Sequence, residues 1–267
     1  MEHNWIMWII RRVTSQDIVL PTLLLIVLIA CWQALSTSGI LPVYLVPPPS
    51  VVAAKAWETK GLLWFHALVT SYEVLVGFLL SVFGGVLLGA TVISSKIVQK
   101  TVYPWLVVVQ VIPKVAVGPL IVIWLGFGFW PKILIAFLLG FFPIMISTMH
   151  GLASVEKEKI YLLQTMGGRR LSTFRYLLLQ SSLPDICSSF KVAITLVTIG
   201  AIVGEFIGSD NGLGYVLISA NGSLDAPLLF VALLWITAIS LIFYAIVTAI
   251  EKILIPWHVS VRSPTTT

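Results

Sequence analysis

With 267 residues, 58% of them hydrophobic and 10% charged, the chain is too apolar for a water-soluble domain, where about 25% of residues carry charge. Its mean hydropathy of +1.03 places it among integral membrane proteins. The formal net charge of +5 sits in the stretches between apolar runs, so it bears on orientation and makes no case for nucleic-acid binding. The two distant cysteines, Cys31 and Cys187, imply neither a disulfide framework nor a metal site.

In chain order, residues 1–16 carry Trp5, Trp8, Ile9 and Ile10 before Arg11 and Arg12, the composition of a segment lying at the membrane interface. Residues 18–38 read as a first span, retained because no cleavage pattern follows it. Pro47-Pro48-Pro49 forbids helix, and Ser50 is placed to cap a short helix running to about Lys60. A second span, about 66–93, holds Gly77, Ser81, Gly85 and Gly89 four residues apart. Such a face of small residues lets another helix approach closely. The third span, about 102–125, contains Pro104, Pro113 and Pro119 and is expected to be one kinked helix. After the turn GFGFWPK at 126–132, a fourth span runs to about Leu152. A fifth, about 186–207, leads into Gly208 with Gly200 and Gly204 at the same spacing, and a sixth covers about 227–250. Six segments thus meet the length of about 20 apolar residues that a crossing needs. The permease-like region is expected over 17–258, with a polar tail at 259–267.

A cytoplasmic N-terminus places twelve of the sixteen Lys and Arg residues inside, three outside and one, Lys114, within a span. That is a clear positive-inside bias. It also puts residues 156–184, the longest stretch that is not membrane-grade apolar, in the cytoplasm. In that stretch Ile160, Leu163 and Met166 recur at helical spacing before Gly167-Gly168, and Leu171, Phe174 and Leu178 after it. The Gly pair predicts a hinge between two short amphipathic helices, and Leu183-Pro184 predicts the next boundary. Read from the residues alone, this is equally an ordinary basic loop.

The Gly followed seventeen positions later by Leu-Pro resembles the cytoplasmic signature loop of binding-protein-dependent ABC importer permeases. PPPSVV at 47–52, IPKVAVGPLIVIWLGFG at 112–128, FFPIMISTMHGL at 141–152 and VGEFIGSDNGLGY at 203–215 are similar to the nitrate/sulfonate/taurine branch. ANGSLDAPLLF at 220–230 and IPWH at 255–258 are closest to members associated with vitamin-precursor import. The resemblance implies an all-α type I importer permease fold with about six transmembrane helices and a cytoplasmic coupling helix. It implies as partners a second copy of the chain, two cytoplasmic ATPases and an external solute-binding protein, in a bacterial inner membrane with both termini cytoplasmic. It assigns ATPase coupling to Glu158, Tyr161, Leu162, Leu163, Met166, Gly167, Gly168, Arg169 and Arg170. The family's Glu-Ala-Ala, six to four positions before the Gly, is Tyr161-Leu162-Leu163 here, and Glu158 matches an acidic position of one branch.

The sequence contains no G-x-x-x-x-G-K-[ST] phosphate loop, so ATP and Mg are expected on the partner ATPase and no cofactor in this chain. His3, His66, His150 and His258 are scattered without a motif-spaced acid or nucleophile and read as interfacial or packing residues, so no catalytic site is expected. Glu73, Lys114 and Glu205 lie within spans, where a charge is costly and marks a functional candidate. Helical rise places all three in the outer half. They are expected either to face one water-filled path or gate, or to form a structural ion pair. The two Gly faces are expected to pack helices. A permease driven by an external ATPase competes with an ion-gradient-driven transporter or channel, which intramembrane Glu73 and Glu205 also suit. Inverted repeats would favour the latter, and none is visible. Sulfonate, taurine, nitrate, or a pyrimidine or flavin vitamin precursor are the solutes left open.

Overall fold

The computed structural model describes residues 16–39, 42 and 44–257, with side chains from residue 19 onward except those of Arg170 and Leu171. The expected interfacial segment and the polar tail lie outside the described residues. The described chain is all helical: α1 (Gln16–Thr37), α2 (Pro49–Glu58), α3 (Lys60–Ser94), α4 (Lys96–Val111), α5 (Lys114–Leu125), α6 (Phe129–Ala153), α7 (Lys157–Thr165), α8 (Arg170–Thr173), α9 (Leu179–Gly208), α10 (Leu213–Gly222) and α11 (Ala226–Leu254). One π turn, Phe174–Leu178, joins α8 to α9 without a break. Five helical stretches are long and apolar enough to cross a membrane, and a sixth crossing is made if α4 and α5 count together.

The third span departs from expectation. It is two helices bent by 92° at Ile112-Pro113, because Pro113 lacks an N–H and Ile112 before it is extended (ψ 127°). The fifth span also differs, since helix runs straight through Pro184. Ser50 does not cap α2, which starts with Pro49. Its N–H and hydroxyl instead meet the side-chain amide of Gln33 at 3.1 Å each, tying α2 to the end of α1.

The core is α6 held between α3 and α9. A methyl group added at Gly85 would stand 2.9 Å from Ile144, and one at Gly89 2.8 Å from the Met145 carbonyl. One at Gly200 would stand 2.7 Å from the Ala136 Cα, and one at Gly204 2.8 Å from the Lys132 Cα. The Ser81 hydroxyl reaches the carbonyls of Gly77 (2.7 Å) and Phe137 (3.0 Å). Backbones this close exclude lipid, and dispersion contacts take the place of the hydrophobic effect that is missing inside a bilayer. Val74, Ala136, Ile194, Val197 and Ala201 close the packing. By contrast α1 is almost wholly exposed along its length, and α4 buries no residue.

Candidate functional site

Two places on this frame gather side chains that packing alone does not call for. The first lies where α3, the start of α6 and the end of α9 meet. Because α6 begins at Phe129, Lys132 is its fourth residue and sits against Gly204 of α9. Its ammonium forms an ion pair with Glu73 of α3 and donates to the Ser209 hydroxyl at 3.0 Å. Glu73 is fully buried and Lys132 is 6% exposed. Beside them Glu205, equally buried, accepts the Thr70 hydroxyl proton at 2.6 Å and the amide of Gly214, and it lies within Coulombic reach of Glu73.

The same cluster fixes the polar segment after α9. The amide of Gly212 donates to His66 Nδ1 (3.0 Å) and that of Leu213 to Thr70 Oγ1 (2.9 Å). Three successive amides are thus received by side chains of α3 and α9. Gly212 has φ +108°, and a side chain there would run into the Glu205 carboxyl, so only glycine suits the turn. A carboxylate at the start of α10 also matches the positive end of that helix. Over Glu73 and Lys132 opens a cavity of about 790 Å³, rimmed by Ser209, Asp210 and Asn211 and walled by Phe65, Phe127 and Phe129.

Lys114 does not join Glu73 and Glu205. It opens α5, where its Nζ donates to the Gln110 carbonyl (2.7 Å) freed at the end of α4, and it lies 4.6 Å from the Phe142 ring. Phe142 is ten residues along α6 from Lys132, about 15 Å deeper. The partner of Glu73 is Lys132, which the sequence reading placed in an exposed turn. The available signal was that WPK can open a helix, with Pro in its first turn. Sequence reasoning also missed a buried pair between α9 and α11, Lys191 with Glu251 at 2.8 Å. Both charges stand inside or at the end of apolar runs and could have been counted with the span residues. His66 is a packing histidine with a specific acceptor role, His150 is exposed beside Asp185 at 3.7 Å, and His3 and His258 lie outside the described residues.

The second place is at the opposite end of α6. That helix has 25 residues, about 36 Å of rise, and the stretch from Glu156 follows its C-terminus. α7 ends at Met166 with the amide of Gly167 bonded to Gln164 O (3.0 Å) and that of Gly168 to Leu163 O (2.9 Å). With Gly167 at φ +85°, this is the paired closure of a Schellman motif. A side chain on Gly168 would meet the Leu163 carbonyl at 2.6 Å. α7 buries nothing: Glu158 and Arg169 are exposed, as are Tyr161, Leu162 and Met166 at 61, 63 and 76%, with Leu163 half-buried. Among the described residues no group of His, Cys, Asp and Glu could hold a metal ion.

Residues 81–257 match the family described as binding-protein-dependent transport system inner membrane component. The chain is similar to the formylaminopyrimidine transport permease protein ThiX of Halalkalibacterium halodurans, 33% identical over 89% of this chain and 95% of that one. It is 36% identical to the riboflavin transport system permease protein RibX of Chloroflexus aurantiacus, over 90% of each. In fold it is similar to a chain in the inward-facing MetNI methionine ABC transporter, with a TM-score of 0.52 and 18% identity over 73% of this chain and 97% of that one.

Proposed function

The chain belongs to the family of binding-protein-dependent transport system inner membrane components, and we propose from that premise how it works: paired with a second copy, it passes solute from an external binding protein to the cytoplasm and takes its drive from two ATPases that dock on the loop at residues 156–184. It is the membrane-spanning permease component of an ABC importer. The observation that carries the coupling role is α7 itself. Three large apolar side chains are left uncovered on a nine-residue helix and its C-cap residue, fixed by a Gly-dependent closure. A helix too short to hold itself in water presents an apolar face for another protein to cover. Glu158 and Arg169 flank that face as polar contacts.

Docking there sets this end of the molecule in the cytoplasm, in keeping with the excess of Lys and Arg, and sets the Glu73–Lys132 end outside. The membrane is then a bacterial inner membrane, and hydrolysis occurs on the partner, where ATP and Mg bind. As solute we propose a small organic compound of the kind named for its relatives, a formylaminopyrimidine or riboflavin.

ATP hydrolysis by the purified chain, alone and co-purified with the ATPase, tests this reading. Silence alone, activity in the complex and loss of activity in Gly167→Val/Gly168→Val are expected. Uptake driven by a proton or sodium gradient without ATP would overturn it.

A further inference from the structure

We propose that the elbow between α4 and α5 lines a water-filled solute path at the middle of the membrane, where the Lys114 ammonium receives an acceptor-bearing part of the solute. The inference rests on the importer reading above and adds where in the chain the path runs.

Depth is the first argument. The Lys114 ammonium lies 4.6 Å from the Phe142 ring. Phe142 stands near the middle of α6, about 20 Å of helix from its first residue and about 16 Å from its last. At this depth the helical ladder stops. α4 ends at Val111, Ile112 and Pro113 are extended, and α5 leaves at 92° to α4. Every residue from Val107 to Pro113 is exposed. Non-helical backbone at bilayer depth is tolerated where protein buries it or water meets it, and not against lipid.

Charge is the second argument. Among the described residues Lys114 forms no ion pair. A neutral donor would serve the Gln110 carbonyl as well, whereas an unpaired ammonium at mid-membrane is costly. It is also too deep to reach headgroups, as lysines near helix ends do. The Gln110 amide, exposed one turn away, is equally unsuited to lipid. Dry packing of the elbow against the same face of a second copy would bring two unpaired ammoniums together, since a two-fold contact joins like with like. Water between the copies avoids that cost. The Phe142 ring steadies the ammonium from one side. Of its three donors the Gln110 carbonyl takes one, which leaves two for acceptors on a passing solute.

The test uses the permease–ATPase complex in nanodiscs, which leave both faces of the membrane open to reagent. The reporter is Val111→Cys, at a side chain 79% exposed, in a Cys31→Ser background; Ile112→Cys serves if it does not assemble. The probes are 2-sulfonatoethyl and 2-(trimethylammonio)ethyl methanethiosulfonate, added without nucleotide and with ATP and vanadate. Adducts are read from the mass of this chain, with the reporter-free chain as blank. Relative to their rates with glutathione, the anionic probe is expected to react several-fold faster than the cationic one in at least one state. Leu24→Cys, 60% exposed on the apolar α1, should stay unreactive. The preference should survive Lys114→Arg and vanish in Lys114→Gln, which keeps a donor for the Gln110 carbonyl, or in Lys114→Met if the Gln variant fails to fold. No reaction at the elbow in either state, equal rates for the two probes, or a preference that persists without the Lys114 charge would each overturn the inference. ATP hydrolysis by the same preparation separates the two readings. Hydrolysis without reaction at the elbow removes the path assignment alone, whereas no complex and no hydrolysis removes the importer reading.

Discussion

Glu73, Lys132 and Glu205 are buried and come from three helices far apart in sequence, and together with His66 and Thr70 the cluster fixes the Gly212–Gly214 backbone. The stretch from Lys157 to Arg169, at the far end of α6, is almost the reverse. Its hydrogen bonds are short-range and its apolar side chains stand uncovered. In the first region, polarity is consumed inside the chain, beside a cavity. In the second, the surplus is apolar surface. That uncovered apolar surface is what the proposed docking of another protein would bury.

The largest expected effect breaks the first region. Lys132→Met leaves Glu73 and Glu205 buried together without their cation, and losing one partner of a buried pair costs about 3–5 kcal/mol. Thermal unfolding of the detergent-solubilised protein should register a large fall, and Glu73→Gln/Lys132→Met should recover part of it. Equal melting of Lys132→Met and the parent would mean that the cluster is wet and bears no structural weight.

Next in size is the frame that sets the two regions apart. Gly200→Leu forces a side chain where even a methyl group meets the Ala136 backbone at 2.7 Å, and overpacking of this kind costs about 1–3 kcal/mol or more. Gly61→Ala, with open space around it, is the matched control and should stay within about 0.5 kcal/mol. The loop should behave differently again. α7 buries no residue, so Gly167→Val should unfold that turn locally with little change in the global melting temperature, while coupled ATP hydrolysis is lost. A large drop in melting temperature would show that α7 belongs to the cooperative core, and the contrast between the two ends would fail.

Much of the frame was legible in the residues. The four-residue spacing of Gly77, Ser81, Gly85 and Gly89 fixes a helix face whatever lies opposite, and the Gly167-Gly168 pair stops a helix locally. What escaped depends on partners distant in sequence. Lys132 looks like a turn residue until α6 is known to start at Phe129, and only the approach of α9 through Gly204 buries it. Lys114 and Glu73 look alike as span charges, yet a 92° break at Pro113 carries Lys114 to a different depth. Pro184 shows that a residue able to open a helix can also lie within its first turns, because a turn of helix already precedes it.

The smallest effect concerns Lys55 and Asp225, which couple α2 to the start of α11 across 2.8 Å on the side of the Glu73 cluster. Asp225 also caps α11 by accepting the Leu228 amide at 3.1 Å. Burial alone would raise the Asp225 carboxyl, but the Lys55 hydrogen bond, the Leu228 amide and the Lys55 charge outweigh it and hold the group below its ordinary 3.8. The hydrogen bond to Asp225 holds Lys55 above its ordinary 10.5, against a smaller opposing effect of burial. A depressed carboxyl contributes stability above its unfolded value and loses it as pH falls through the lower folded one. A raised ammonium contributes below its unfolded value and loses it as pH climbs through the higher folded one. The pair should therefore stabilise the fold evenly between pH 3.8 and 10.5 and weaken it outside that window. Asp225→Ala removes cap and pair together and should cost about 1 kcal/mol at neutral pH, with the gap to the parent closing as melting is followed to acid pH. A gap that stays constant below pH 4 would assign the loss to helix packing instead of charge and would leave Lys55 without a role in joining α2 to α11.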